Sequence, residues 1–207
     1  MEKSRAIDRL GAFTDGVLAI VITLLVLDIA LPADAETATE SQLAAALLAI
    51  WPKYLSYVIS FLVIANFWML HTSKFRALKT INATFVWLNI LFLMVVGFIP
   101  FTTSVLSDSG GTVATTLYAA TMAVASALLA LMGFYAEARG LVDKPVASQD
   151  RVKHIILSLA ATAIFLASIV IAQFSAAAAQ YSWALLFVIV AFVRPKHSEE
   201  ARDPFAS

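Results

Sequence analysis

The stretch Gly16-Val17-Leu18-Ala19-Ile20-Val21-Ile22-Thr23-Leu24-Leu25-Val26-Leu27 carries one hydroxyl and no charge. As an α-helix it would be roughly 18 Å long at ~1.5 Å per residue. That is short of the ~30 Å of hydrocarbon in a bilayer, so the helix must start earlier and carry Asp15 at or near the membrane interface. The apolar segment containing it runs from Leu10 to Leu31. Lys3 and Arg5 precede it, but Thr23 and Asp28 lie inside it, and it ends at Leu31-Pro32 without a small-x-small cleavage pattern. It reads as a retained first helix and not as a signal peptide.

The rest of the chain repeats this character. Of 207 residues, 61% are hydrophobic and 14% charged, with a mean hydropathy of +0.86; soluble domains have about 45–50% apolar and roughly 25% charged residues. Five further apolar segments follow, Leu43–Leu70, Ile81–Leu106, Val113–Tyr135, Val152–Phe174 and Ala176–Val193. Each approaches or exceeds the ~20 residues a membrane-crossing helix needs. The predicted fold class is therefore all-α and polytopic, with six transmembrane helices in a single channel-sized domain over 1–195. A disordered tail is expected over 196–207.

The basic residues orient the helices. If the six spans alternate, all but Lys53 of the 14 fall on one side: Lys3, Arg5 and Arg9; Lys74, Arg76 and Lys79; Arg139, Lys144, Arg151 and Lys153; Arg194, Lys196 and Arg202. Short loops rich in Lys and Arg stay cytoplasmic, so both termini are expected in the cytoplasm, in a multi-pass protein of the cell (inner) membrane. The other side carries Asp28, Asp34, Glu36, Glu40 and Asp108. An acidic outer mouth near Asp28 would concentrate cations through its field. A solvated loop that merely avoids positive charge would look the same.

Helical geometry divides the first span. At ~100° per residue, Ile20, Thr23, Leu24 and Leu27 share one arc of about 100°, with Gly16 a turn below and Arg9 near its cytoplasmic end. Asp15 points away from this stripe and is expected to hold a partner on another helix of the same subunit, because an unpaired charge at membrane depth is costly. The stripe could line a pore or serve as a tight helix–helix seam.

The spacing of these residues carries a resemblance. Arg9, Phe13, Thr14, Asp15, Val17, Ala19, Ile20 and Thr23 follow the pattern Arg-x-x-x-Phe-Ser-Asp-x-Val-x-Ala-Ile-x-x-Thr, with Thr14 in place of Ser. This resembles the signature of the transmembrane protein 175 family, whose animal member is a lysosomal potassium channel and which has shorter bacterial and archaeal relatives. Trp68-x-x-His71, Asn89 and Pro100-Phe101 are similar too. The resemblance implies one six-helix repeat per chain and a homotetramer around a pore lined by the first helices. It further implies potassium and other monovalent cations as permeants, and no carbonyl filter loop; the chain has no Thr-Val-Gly-Tyr-Gly segment. By motif position Ile20, Thr23 and Leu27, together with Leu24, would form the constriction and the selectivity layer. Arg9, Phe13, Thr14, Asp15, Trp68, His71 and Asn89 would form a motif and packing network, in which His71 would hydrogen-bond to the Phe13–Asp15 region.

Other classes find little support. There are no cysteines, which excludes disulfides and thiolate metal sites. Only His71 and Asp15 are metal-capable at membrane depth, and no Gly-x-Ser-x-Gly elbow exists, so neither an enzyme nor a cofactor is expected. Zero net charge gives no nucleic-acid signal. A secondary transporter of a cation or small solute is the alternative. Such folds show mirrored helix breaks, whereas here Gly97 and Pro100 supply a single candidate break.

Overall fold

The computed structural model describes residues 2–31, 38–143 and 148–186. They are helical, without a strand among them, and joined in the order α1 (Glu2–Leu24), a 3-10 turn (Leu25–Asp28), α2 (Glu40–Ala49), α3 (Trp51–Arg76), α4 (Ala83–Gly97), α5 (Ile99–Ser109), α6 (Thr112–Ala138), α7 (Ser148–Ala172) and α8 (Ala176–Ser182). Among the described residues, four stretches are long and apolar enough to cross a membrane: Arg5–Asp28, Trp51–Arg76, Ala83–Ser109 and Thr112–Ala138. In α7, whose side chains are described from Leu159 onward, the stretch Leu159–Ala172 is apolar. The end of the expected sixth span beyond residue 186, the tail 196–207, and Asp34 and Glu36 lie outside the described residues.

Two expected spans are divided, each at a proline. The segment expected as Leu43–Leu70 breaks at Ile50, and the spanning helix is Trp51–Arg76, with Pro52 in its first turn. Proline has no N–H to donate and its ring clashes with the preceding turn, so it starts a helix readily and continues one poorly. The preceding α2 is a separate helix with its own capping box, Thr39 and Gln42 each accepting from the other's backbone N–H. The third expected span bends at Phe98, where Pro100 opens α5 in the same way. The Thr102 and Thr103 hydroxyls both donate to the Ile99 carbonyl just beyond the bend.

Two pairs of helix connections meet. At one end the connection after α3 meets the connection after α6. Lys79 N–H donates to the Leu141 carbonyl at 2.9 Å and Asp143 N–H to the Ala77 carbonyl at 2.9 Å, making a lone antiparallel bridge between Leu78 and Val142. Gly140, at φ 61°, turns the chain out of α6 into this bridge. These are the two basic connections. At the opposite end Gly110, at φ 60°, closes α5 in the left-handed conformation that suits glycine. There Gln180 of α8 donates to the Gly110 carbonyl at 3.2 Å and to Thr115 Oγ1 at 3.0 Å.

Lipid tails are as apolar as leucine, so close packing and interhelical hydrogen bonds must hold such a bundle together. Helix α6 supplies the small residues this needs: Ala114, Ala119, Ala123, Ala125 and Ser126 are all buried. Ser126 accepts from Thr162 of α7 at 2.9 Å. Ser60 of α3 lies 2.9 Å from the Thr103 hydroxyl of α5 and 3.0 Å from the Tyr118 hydroxyl of α6. All three side chains are buried, so one hydroxyl cluster ties three helices where no water could substitute.

Candidate functional site

Helix α1 presents two faces of opposite character. Thr14, Leu18, Val21 and Leu25, at helical spacing, are buried against the bundle. On the other side Ile20, Leu24 and Leu27 are 59%, 43% and 72% exposed, and Thr23 and Gly16 are exposed with them. A side-chain carbon added at Gly16 would meet nothing within 4 Å. The seam within the protomer is therefore built from a different set of residues than the stripe. Arg9 is exposed at the basic end of the same helix.

Thr23 is the one hydroxyl on the exposed stripe. It donates to the Ile20 carbonyl at 2.8 Å. With its proton committed to its own helix, its oxygen keeps the capacity to accept.

Behind the stripe, a hydrogen-bonded anchor joins three helices. Thr14 donates to the Leu10 carbonyl at 2.9 Å. With that proton committed, Thr14 Oγ1 accepts from Asn89 Nδ2 at 2.9 Å. The Asn89 Oδ1 then faces His71 Nε2 at 2.9 Å, and since a carboxamide oxygen can only accept, His71 must carry its proton on Nε2. All three side chains are buried. The His71 ring stacks between Phe75, at 4.1 Å between centroids, and Phe92, at 5.8 Å. His71 thus reaches α1 through Asn89 and not directly, which sequence reasoning could not anticipate. Phe13, at 57% exposure, stands outside the anchor.

Asp15 does find its partner on another helix. Trp68 Nε1 of α3 donates to Asp15 Oδ1 at 2.9 Å on the exposed flank of the protomer. Of the remaining asparagines, Asn82 caps α4 by accepting from Phe85 N–H and donates to Tyr135. Asp15→Ala would leave the indole N–H without an acceptor. Its expected effect is a lower yield of folded, monodisperse protein on size-exclusion chromatography, reproduced by Trp68→Phe, which keeps the ring and removes the donor. An unchanged elution profile and yield in both variants would mean that this bond does not hold α1 to α3.

At the far end of α1, Ser107 Oγ of α5 lies 2.6 Å from Asp28 Oδ2 and 2.9 Å from the Ser104 carbonyl. Lys53 of α3 donates to the Asp28 carbonyl at 3.4 Å and pairs with Asp108 Oδ1 at 2.8 Å. The outer mouth expected at Asp28 is thus partly neutralised by the basic residue that stood apart in the charge pattern. Ser107 carried no signal in the sequence. No group of three or more metal-capable side chains occurs among the described residues.

The chain has clear relatives. The family model described as "Endosomal/lysosomal potassium channel TMEM175" matches residues 9–100. A potassium channel of Streptomyces collinus is 38% identical over 161 residues, covering 73% of this chain and 77% of its own length. The endosomal/lysosomal proton channel TMEM175 of Mus musculus is 41% identical over 98 residues, 45% of this chain and 20% of its own. The crystal structure of a lysosomal potassium-selective channel TMEM175 homolog from Chamaesiphon minutus superposes with a TM-score of 0.76 and 26% identity, covering 92% of this chain and 100% of that one.

Proposed function

The chain belongs to the TMEM175 family of channels, and from that premise we propose that it forms a potassium-permeable pore in the cell membrane. Four copies would surround one axis, each contributing the exposed stripe of α1. The observation that carries this reading is the division of α1 into a buried seam (Thr14, Leu18, Val21, Leu25) and an exposed apolar stripe (Ile20, Leu24, Leu27) with a single hydroxyl, Thr23. The seam already satisfies the protomer, so the stripe is free to face copies of itself.

In this arrangement Ile20 and Leu27 form apolar rings, with Leu24 at their edge. A narrow apolar ring excludes water, and an ion must shed hydration to cross it, so it gates by dewetting. The Thr23 layer offers oxygens between the rings and favours the more easily dehydrated potassium over sodium. Selectivity built on one hydroxyl layer is modest. Arg9 sits at the cytoplasmic entrance and Asp28 at the outer one. The Thr14–Asn89–His71 anchor and the Asp15–Trp68 bond hold α1 against the bundle at fixed rotation, which keeps the stripe on the axis.

The test is reconstitution into liposomes with an outward potassium gradient. Flux that persists without a coupled ion and does not saturate supports a pore. Saturating flux coupled to a second ion would favour the transporter, which draws on the break at Phe98.

Six spans with both termini in the cytoplasm are part of the proposal. The 13-to-1 partition of basic residues supports it, as does the pairing of the two basic connections through the Leu78–Val142 bridge. Single cysteines at Ala35 and Ser109 are expected to react with an impermeant thiol reagent from outside, and one at Ala77 to stay unreactive until the membrane is opened. External labelling at Ala77 would overturn the topology.

A further inference from the structure

We infer that Lys53 is a positioning residue for the pore helix, holding the outer end of α1 to α3 and α5. This rests on the reading of α1 as the pore-lining helix. Three observations converge on it. The first is the ending of α1. After Leu24 the helix tightens into the 3-10 turn Leu25–Asp28, and the chain then leaves through residues 29–31, where, among the described residues, Ile29 N–H bonds to the Val26 carbonyl and Ala30 N–H to the Asp28 carbonyl. A helix end leaves carbonyls without intrahelical partners and carries partial negative charge. Leu27 of the exposed stripe lies within this turn, so the placement of the outermost apolar ring depends on how firmly the turn is held.

The second observation is where Lys53 sits. It is in the first turn of α3, beside Pro52, where the helix dipole disfavours a cation. It is also the one basic residue on the outer side of the charge pattern. Its own helix does not explain it. The far end of α1 does: the ammonium donates to the Asp28 carbonyl at 3.4 Å, capping a C-terminus with the charge its dipole favours.

The third is that the same ammonium is anchored in turn. Asp108 Oδ1 at the end of α5 lies 2.8 Å from it, and the neighbouring Ser107 hydroxyl lies 2.6 Å from Asp28 Oδ2. Asp28 at a helix C-terminus has the wrong sign for the dipole, and the hydroxyl and ammonium around it offset that. An isolated exposed ion pair contributes little. Here Lys53 is 22% exposed, and its bond to the Asp28 carbonyl converges with that of Ser107 on one residue of one short turn. Permeation is thereby linked to α5, the half of the bent third span that lies beyond Phe98.

The clamp makes a prediction that the electric field of the mouth does not. Lys53→Gln removes a positive charge and Asp108→Asn removes a negative one. If these residues act on ions through the field alone, the two variants shift cation flux in opposite directions. If they act by holding α1, both release it and both shift flux in the same direction. The full-length chain in potassium-loaded liposomes is compared with Lys53→Gln, Asp108→Asn, the double variant and Lys53→Arg, alongside hydrogen exchange of the amides in 25–31.

The expected result is a several-fold change of flux of one sign in both single variants. The double variant should add nothing further, exchange over 25–31 should be faster in all three, and Lys53→Arg should restore both readouts. Where the protein conducts, opposite signs, an effect in one variant alone, unchanged exchange, or faster exchange without a change of flux would each overturn the inference. The Ile20→Asn protein in the same liposomes separates the two levels. If Ile20→Asn conducts and the clamp variants behave as wild type, only the clamp fails. If no variant conducts, the pore reading fails, and exchange over 25–31 alone decides whether Lys53 holds the end of α1.

Discussion

The Ile20→Asn protein is expected to leak potassium at least about tenfold faster than wild type in liposomes, a factor that corresponds to roughly 1.4 kcal/mol off the crossing barrier. Ile20 is 59% exposed on the stripe, and four copies about an axis would form a dry ring. Asparagine has similar size but holds water through its amide, so the ion no longer crosses bare. Thr23→Val should act differently. It keeps the shape and removes the hydroxyl, so basal leak stays low while the preference for potassium over sodium falls. A control must separate wetting of the ring from general loosening of the fold. Leu25 cannot serve, although helical arithmetic alone would suggest it, because it is 1% exposed within the seam, and a polar group there would disrupt the bundle. Val26, 48% exposed and off the stripe, can. Equal leak through Val26→Asn and Ile20→Asn would mean that loosening explains both and that the stripe does not line the path.

Asn89→Leu should be the most destabilising conservative change in the anchor. It strips the donor from Thr14 and leaves the His71 Nε2–H buried with no acceptor, and an orphaned buried donor costs about 1–3 kcal/mol. The expected outcome is a clear fall in thermal stability and in oligomer yield by fluorescence-detected chromatography. Pairing it with His71→Phe should recover most of the loss, because removing both partners at constant shape leaves no polar group stranded, and phenylalanine can keep the stack against Phe75 and Phe92. A double variant as unstable as the sum of its parts would mean that packing, and not the hydrogen bond, is what His71 contributes.

The anchor and the stripe differ in how far the sequence discloses them. The stripe is a matter of angle along one helix, and Ile20, Thr23, Leu24 and Leu27 can be grouped by periodicity alone. Periodicity could not say whether that arc or its opposite packs against the protomer, since both arcs are apolar. Burial of Leu18, Val21 and Leu25 decided it. The network residues were each visible as polar side chains at membrane depth, where an unsatisfied group is costly. Their pairing was not visible, because Thr14, His71 and Asn89 lie on three helices and spacing along the chain carries no distance between helices.

By itself the sequence determined the class of the protein: apolar stretches of ~20 residues can only cross a bilayer as helices, since every backbone polar group must be satisfied within the segment. It also carries the charge pattern from which the proposed sorting of the ends is read, because Lys and Arg in short loops are retained on one side during insertion. Only the tertiary structure decided where two spans break, which face of α1 is free, and that Lys53 reaches across to cap the end of α1. The physical reason is the same in each case. Crossing a membrane depends on composition summed over a segment, which one strand of sequence carries in full. Packing in lipid depends on the shape and hydrogen bonds of pairs of helices, and those pairs exist only once the bundle has formed.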